Sequence, residues 1–128
     1  MAMKLLVVED DSDIANALAA YGAHRGFAVT VCDNGLDAVG VALREQPDAI
    51  LLDIALPGLD GRDVLVRLQH AGVTKKSVVI FATARDAQID RVSGLELGAD
   101  DYETKPYQLA TLFGKIDALV KKKRANEL

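Results

Sequence analysis

The sequence contains a single cysteine, Cys32, and no long apolar run. One cysteine excludes a disulfide within the chain and a zinc cluster built on cysteines. We therefore interpret Cys32 as a small apolar side chain on a strand. The apolar run at residues 5–8 is too short for a signal peptide, and no segment approaches the ~20 apolar residues that span a bilayer. These absences predict a soluble, cytoplasmic protein.

Charge of one sign is not concentrated along most of the chain. There are 15 lysines and arginines against 19 acidic residues, and the net charge is −4. This balance argues against direct nucleic-acid binding. The exception is the basic run at residues 121–124. We interpret this run as a solvated helix end or the start of a linker, since no aromatic side chains are interleaved to stack on bases.

The length and the apolar content favour one folded domain. With 128 residues, half of them apolar, the chain can bury one core and has no room for a second domain. Short apolar runs predict strands at residues 4–8, 28–31, 49–52, 77–81 and, more weakly, 101–104. Such runs suit a parallel sheet covered by helices on both faces. We predict one doubly wound α/β domain over residues 1–128, with a core at about 4–122 and a basic tail or linker at 123–128.

Capping residues and apolar spacing predict five helices, one after each strand. The first four begin at the caps Ser12, Asn34, Asp60 and Asp86. Asp11 and Asp13 then lie at the N-terminus of the first helix, where negative charge is stabilised. The last helix should follow Pro106 and run to about Lys122. Its predicted apolar stripe consists of Leu109, Leu112, Ile116 and Leu119.

Polar residues of complementary types follow four of the predicted strands. They are Glu9 and Asp10 after the first, Asp53 after the third, Thr83 after the fourth and Lys105 after the fifth. The carboxyl ends of parallel strands meet at one edge of a sheet, where ligands gather. Neighbouring carboxylates repel one another unless a cation or a proton intervenes, and hard oxygen ligands suit Mg²⁺. We therefore predict a magnesium site on Glu9, Asp10 and Asp53.

A second role for Asp53 follows from its neighbours. A carboxylate can attack phosphorus and form an acyl phosphate. Such a transfer depends more on electrostatic support for the phosphoryl oxygens than on a base. Mg²⁺ can neutralise one of these oxygens, Lys105 a second, and the Thr83 hydroxyl can donate a hydrogen bond to a third. Together these groups predict a phosphoryl-accepting site at Asp53.

These segments resemble, in order and spacing, those of the receiver domain of two-component signalling, over residues 4 to about 122. The likeness is carried by LLVVEDD at 5–11, LLDIALPGLDG at 51–61, ATARD at 82–86, GADDY at 98–102 and the pair Lys105-Pro106. The pattern is closest to response-regulator receivers fused to winged-helix DNA-binding domains. It implies a flavodoxin-like (βα)5 fold, with a five-stranded parallel sheet of order 2-1-3-4-5.

The resemblance also implies a mechanism. Asp53 would accept a phosphoryl group from a histidine kinase or a phosphotransfer protein, and slow self-catalysed hydrolysis would end the signal without making the domain an enzyme. Mg²⁺ would be held by Glu9, Asp10, Asp53 and the Ala55 backbone carbonyl. Thr83 would turn toward the phosphoryl group and Tyr102 would move inward, which shifts a pre-existing equilibrium. The peptide bond before Pro106 would be cis.

Two departures from the family pattern bear on the output. Relatives often carry a larger or polar side chain at Ala55, so the resemblance does not fix the phosphoryl lifetime. The subfamily dimerises through charge pairs on the face of the fourth helix, fifth strand and fifth helix. The residues that fit this pattern are Arg91, Glu96, Asp100, Asp101 and Lys115. Thr111 replaces the usual acidic partner of Arg91 and Gly114 should loosen the helix, so we predict weak dimerisation.

Other interpretations share parts of this pattern. A flavodoxin-like nucleotide binder would need a Gly- or Ser/Thr-rich phosphate loop where this chain has acidic residues 9–11. A magnesium-dependent phosphatase with an aspartyl-phosphate intermediate would need a proton-transferring side chain at Ala55. A receiver that docks without accepting phosphate stays open, as does an output through either a downstream protein or a further C-terminal domain. His24 and His70 have no partner histidine at ligand spacing.

Overall fold

The computed structural model describes residues 2–83 and 97–126, apart from the side chain of Thr83. The elements are β1 (Met3–Val8), α1 (Ser12–His24), β2 (Phe27–Cys32), α2 (Gly35–Glu45), β3 (Ala49–Asp53), α3 (Gly61–His70), a 3-10 turn (Val73–Lys75), β4 (Val78–Thr83), β5 (Asp101–Thr104) and a C-terminal helix (Leu109–Asn126). The predicted fourth helix, with Asp86 as its cap, lies outside the described residues. Among the helices of the described ranges, none combines the length and the apolar composition needed to cross a membrane.

The described strands form one parallel five-stranded sheet in the order β2-β1-β3-β4-β5. This confirms the predicted order 2-1-3-4-5. Strand β1 lies between β2 and β3, with Val8 opposite Cys32 on one side and Leu52 on the other. The β3–β4 pairing ends with Asp53 opposite Ala82. Because all strands run in the same direction, the residues that follow them share one edge of the sheet.

Both faces of the sheet are buried. Leu6 and Val8 of β1 pack on the side of α2 and α3, in a group that includes Cys32. Leu5 and Val7 of the same strand pack on the opposite side, with α1 and the C-terminal helix. Successive side chains of a strand point to opposite faces, so a strand buried on both sides has a continuous apolar sequence. Cys32 is a buried strand residue, as predicted.

Helices α1, α2 and α3 each begin at a capping side chain, although the cap of α1 differs from the predicted one. Asn34 and Asp60 are the N-caps of α2 and α3, as predicted. Helix α1 is capped by Asp11 rather than by Ser12, which is its first helical residue. The Asp11 carboxylate accepts hydrogen bonds from the backbone N–H groups of Asp13 and Ile14 at 3.0 and 3.2 Å. The negative charge of this cap also interacts favourably with the positive end of the helix dipole, which explains why aspartate takes this position.

The C-terminal helix is longer than predicted. It extends to Asn126 instead of ending near Lys122. The ammonium of Lys123 donates to two backbone carbonyls of the turn before β4, at 2.6 and 3.1 Å. The Arg124 guanidinium lies 2.7 Å from a carboxylate oxygen of Asp48. The basic run is therefore a helix end, but half of it is anchored to the domain rather than solvated.

The apolar stripe of that helix is wider than predicted. Its buried residues are Leu112, Phe113, Ile116 and Val120. Leu109 and Leu119 are only partly buried against the same group. Phe113 packs at 5.1 Å, ring centre to ring centre, against both Tyr21 and Phe27. The predicted stripe took one residue per turn, and it therefore omitted Phe113, which lies four residues after Leu109 on the same buried face.

Candidate functional site

Three carboxylates meet where β1 and β3 end. Glu9 follows β1 and Asp53 closes β3, and the pairing of Val8 with Leu52 brings these strand ends side by side. One carboxylate oxygen each from Glu9, Asp10 and Asp53 lies within 4.8 Å of the others. Glu9 and Asp53 are buried, whereas Asp10 is exposed. The site is thus open on one side and enclosed on the other.

Lys105, at the carboxyl end of β5, contacts this cluster. It follows β5, and its peptide bond to Pro106 is cis. Its Nζ lies 2.6 Å from Glu9 Oε1 and 2.8 Å from Asp53 Oδ2. The second oxygen of Asp53, Oδ1, accepts a hydrogen bond from the backbone N–H of Ala55 at 3.1 Å. One ammonium therefore faces two buried carboxylates.

The charges of the site are strongly coupled. Burial and the neighbouring Asp53 carboxyl raise the pKa of Glu9 from 4.5 to about 7, although Lys105 acts in the opposite direction. Burial by itself would lower the pKa of Lys105, but its hydrogen bonds to Asp53 and Glu9 outweigh burial and raise it. A single ammonium does not compensate both acids, so the site favours a proton or a further cation.

One oxygen of Glu9 shows where a cation would fit. Glu9 Oε2 is buried and has no hydrogen-bond partner among the described residues. Leaving a buried carboxylate oxygen unsatisfied is costly, and such groups are usually paired with donors or metals. Three carboxylates around a partly open site are the donors that Mg²⁺ takes while it keeps several waters. The donor set therefore fits a hard divalent cation.

A glycine holds the Asp53 backbone in place. A Cβ added at Gly61 would lie 2.3 Å from the carbonyl oxygen of Asp53 and 2.7 Å from Cα of Ile54. The N–H of Gly61 donates to the carbonyl of Ile54 at 2.8 Å. Because only glycine permits this approach, the first turn of α3 packs directly on the end of β3. The Asp60 cap, whose pKa is lowered by its hydrogen bond to Arg62, fixes the same corner.

The two predicted switch residues lie on neighbouring strands. Thr83 ends β4 opposite Thr104, and its side chain is outside the described part of the structure. Tyr102 is partly buried on β5 and packs against the buried group on the side of α2 and α3. The carbonyl of Ala55, the fourth predicted metal ligand, belongs to the loop that follows Asp53. The roles of these residues stay predictions.

The predicted interface residues that the structure describes contact their own chain. Asp100 Oδ2 accepts a hydrogen bond from the backbone N–H of Val79 at 2.8 Å. Asp101 Oδ2 lies 3.7 Å from the ammonium of Lys115. The other two members of the set, Arg91 and Glu96, lie outside the described residues. His24 and His70 are the last residues of α1 and α3, and the described metal-ligating cluster includes neither.

Tyr107 was not predicted as part of this region. It is partly buried against the group that contains the C-terminal helix. Burial raises the pKa of its phenol, and the carboxylates of Glu9 and Asp53 add to that effect. The only signal in the sequence was its position two residues after Lys105, which could not indicate the direction of the ring.

Glu103 was also missed. Its Oε2 is buried and lies 2.7 Å from the ammonium of Lys115. Strand alternation places Glu103 on the same face of β5 as Asp101, so a period-two reading of that strand could have found it.

Comparison with known proteins agrees with this geometry. The model of the response regulator receiver domain family matches residues 5–117. The chain belongs to this family. It is 44% identical over 125 residues to the transcriptional activator protein PfeR of Pseudomonas aeruginosa, covering 98% of this chain and 40% of that protein. It is 43% identical over 124 residues to the sensory transduction protein RegX3 of Mycolicibacterium smegmatis, covering 96% and 53%.

The fold of this chain also matches that of a solved receiver domain. The receiver domain of the sensor histidine kinase PA1611 from Pseudomonas aeruginosa holds a magnesium ion in its active-site cleft. It matches with a TM-score of 0.85 and 30% identity, covering 94% of this chain and 99% of that chain. The flavodoxin-like receiver fold is thus confirmed. The chain spans about half the length, or less, of the relatives PfeR and RegX3.

Proposed function

We propose that this receiver domain accepts a phosphoryl group on Asp53 in a magnesium-dependent reaction. The observation that carries the proposal is the position of Asp53. It is buried at the end of β3, its Oδ2 is 2.8 Å from Lys105 Nζ, and two further carboxylates lie beside it. A carboxylate so placed can act as a nucleophile whose surroundings compensate the charge of a phosphoryl group.

In the proposed transfer, a carboxylate oxygen of Asp53 forms a bond to phosphorus. The bond from phosphorus to the donor breaks, and the leaving group departs with the electron pair. The donor would be a histidine kinase or a phosphotransfer protein. Lys105 would compensate negative charge on the phosphoryl oxygens, and the hydroxyl of Thr83 would donate a hydrogen bond to one of them. Water would later hydrolyse the acyl phosphate slowly, and Ala55 offers no side chain to assist it.

Mg²⁺ would be held by Glu9, Asp10, Asp53 and the carbonyl of Ala55. When bound, it would neutralise charge on the phosphoryl group. The unpartnered Glu9 Oε2 and the raised pKa of Glu9 support a cation in this place. Glu9 and Asp10 would bind the ion through hard oxygens, and Lys105 would remain free to turn from Glu9 toward the incoming group.

The output would follow from a shift between two states. Contacts made only with the phosphoryl group would favour a state in which Thr83 and Tyr102 have moved, and so change the face of β5 and the C-terminal helix. That face would bind a downstream protein or form a weak homodimer that involves Arg91, Glu96, Asp100, Asp101 and Lys115. The domain would act in the cytoplasm, and this chain itself would make no direct contact with membranes or nucleic acids.

Intact mass spectrometry tests the acceptor. The protein is incubated with acetyl phosphate, with and without Mg²⁺, beside the variants Asp53→Asn and Asp63→Asn. Asp63 is an acid in the first turn of α3 and serves as the matched control. We expect one phosphoryl group on the parent and on Asp63→Asn, only with Mg²⁺, and none on Asp53→Asn. Phosphorylation of Asp53→Asn to the parent level would show that the acceptor is another residue.

A further inference from the structure

Lys115 of the C-terminal helix contacts three residues of β5 in its own chain. Its ammonium lies 2.7 Å from Glu103 Oε2 and 3.7 Å from Asp101 Oδ2. It also donates to the backbone carbonyl of Tyr102 at 3.2 Å. The ammonium thus lies between two carboxylates and one backbone carbonyl of the same strand. Lys115 therefore ties the helix to β5 at three consecutive residues.

Glu103 makes the shortest of these contacts with Lys115. Its side chain is only 20% exposed, and its Oε2 is buried against Lys115. A carboxylate in such a place needs a cation, because burial without one is costly. Burial by itself would lower the pKa of Lys115, but the close contact with Glu103 and the charge of Asp101 outweigh burial and raise it. The pair is still partly exposed, with 30% of the Lys115 side chain accessible, so its contribution is that of an ion pair of modest strength.

We propose that Glu103 restrains self-association by holding Lys115 within its own chain. This inference rests on the proposed function, in which Lys115 and Asp101 form charge pairs with a second copy. Such pairing would compete with these contacts, because Lys115 would have to turn from Glu103 toward the second copy. The affinity of the dimer is therefore reduced by the intrachain contact that is lost. In a symmetric dimer, the loss is counted twice, once for each protomer.

The test compares Glu103→Gln and Glu103→Leu with the parent in analytical ultracentrifugation, with and without acetyl phosphate and Mg²⁺. The amide keeps the shape of Glu103 without its charge, and leucine fills the partly buried site if the amide folds poorly. Asp117→Asn is the matched control, because Asp117 lies on the same helix and contacts Lys121 at 3.9 Å. Intact mass of each sample reports phosphorylation independently of association.

We expect the dimer dissociation constant of both Glu103 variants to fall about fivefold, since each protomer releases one ion pair of modest strength. Asp117→Asn should dimerise like the parent. Equal or weaker dimerisation of the Glu103 variants would overturn the inference, and so would the absence of a dimer in every sample. A failure of all proteins to gain phosphate would instead count against the proposed function, and the unphosphorylated samples would still decide the role of Glu103.

Discussion

Replacing Glu9 with glutamine should make the protein more stable above neutral pH. In the folded chain the pKa of Glu9 is raised to about 7, against 4.5 for an ordinary glutamate. Between these values the folded protein holds a proton that the unfolded chain has released. The free energy of unfolding therefore falls as the pH rises through this window. At ~1.4 kcal/mol for each pKa unit, the loss is about 3 kcal/mol by pH ~8.

Urea unfolding at several pH values measures this effect. The experiment compares the parent, Glu9→Gln and the surface control Glu45→Gln between about pH 5 and pH 8, in a chelator that removes divalent cations. Glutamine resembles the protonated acid, so parent and Glu9→Gln should differ least at the acidic end of this range, near pH ~5. At pH ~8, Glu9→Gln should be more stable by up to about 3 kcal/mol. Glu45→Gln should follow the parent throughout.

The gain in stability on adding Mg²⁺ should be larger for the parent than for Glu9→Gln. A ligand that binds only the folded state stabilises it by about 2.7 kcal/mol at a hundredfold excess over its dissociation constant. Mg²⁺ at pH ~8 should therefore stabilise the parent and stabilise Glu9→Gln much less, because the variant has lost a ligand. Parallel pH dependences of the parent and Glu9→Gln without metal would refute the electrostatic reasoning. Equal stabilisation of the parent and Glu9→Gln by Mg²⁺ would show that Glu9 is not a metal ligand.

Three further substitutions test local features by urea unfolding. Asp11→Ala should lower the free energy of unfolding by about 1 kcal/mol, because it removes the cap of α1, and Ser12→Ala should cost less. Gln46→Gly should raise the free energy of unfolding by about 0.5–1 kcal/mol, because Gln46 has a φ of 49° and only glycine adopts the left-handed region freely. Gln46→Ala should bring no gain. Gly61→Ala should cost about 1–3 kcal/mol and reduce phosphorylation, because the new methyl group meets the Asp53 carbonyl; normal stability of this variant would contradict the close approach.

The sequence predicted the sheet and the cluster at its edge well, for a physical reason. Strands buried on both faces must be apolar throughout, so β1, β3 and β4 stand out from their surroundings. Parallel strands place their carboxyl ends together, which brings Glu9, Asp53 and Lys105 to one edge without further information. The predicted association of the carboxylates with the lysine is therefore largely a consequence of topology.

Contacts that depend on where one element ends on another were not predictable in this way. The anchoring of Lys123 on two backbone carbonyls requires the distance between the C-terminal helix and the turn before β4. A run of basic residues gives no such distance. Likewise, Asp11 and Ser12 are both good caps, and only the backbone conformation of Asp11, with φ −79° and ψ 109°, decides between them.

The charges on β5 and the C-terminal helix show most clearly what the sequence could not predict. Strand alternation places Asp101 and Glu103 on one face, and Lys115 of the helix lies opposite that face. The family resemblance predicted Asp101 and Lys115 as interface residues, whereas the structure pairs them within one chain. The distance of 2.7 Å between Lys115 and Glu103 favours the intrachain pair. In the proposed dimer, Lys115 would exchange this contact for one with a second copy, and the strength of its pair with Glu103 would limit the affinity of the dimer.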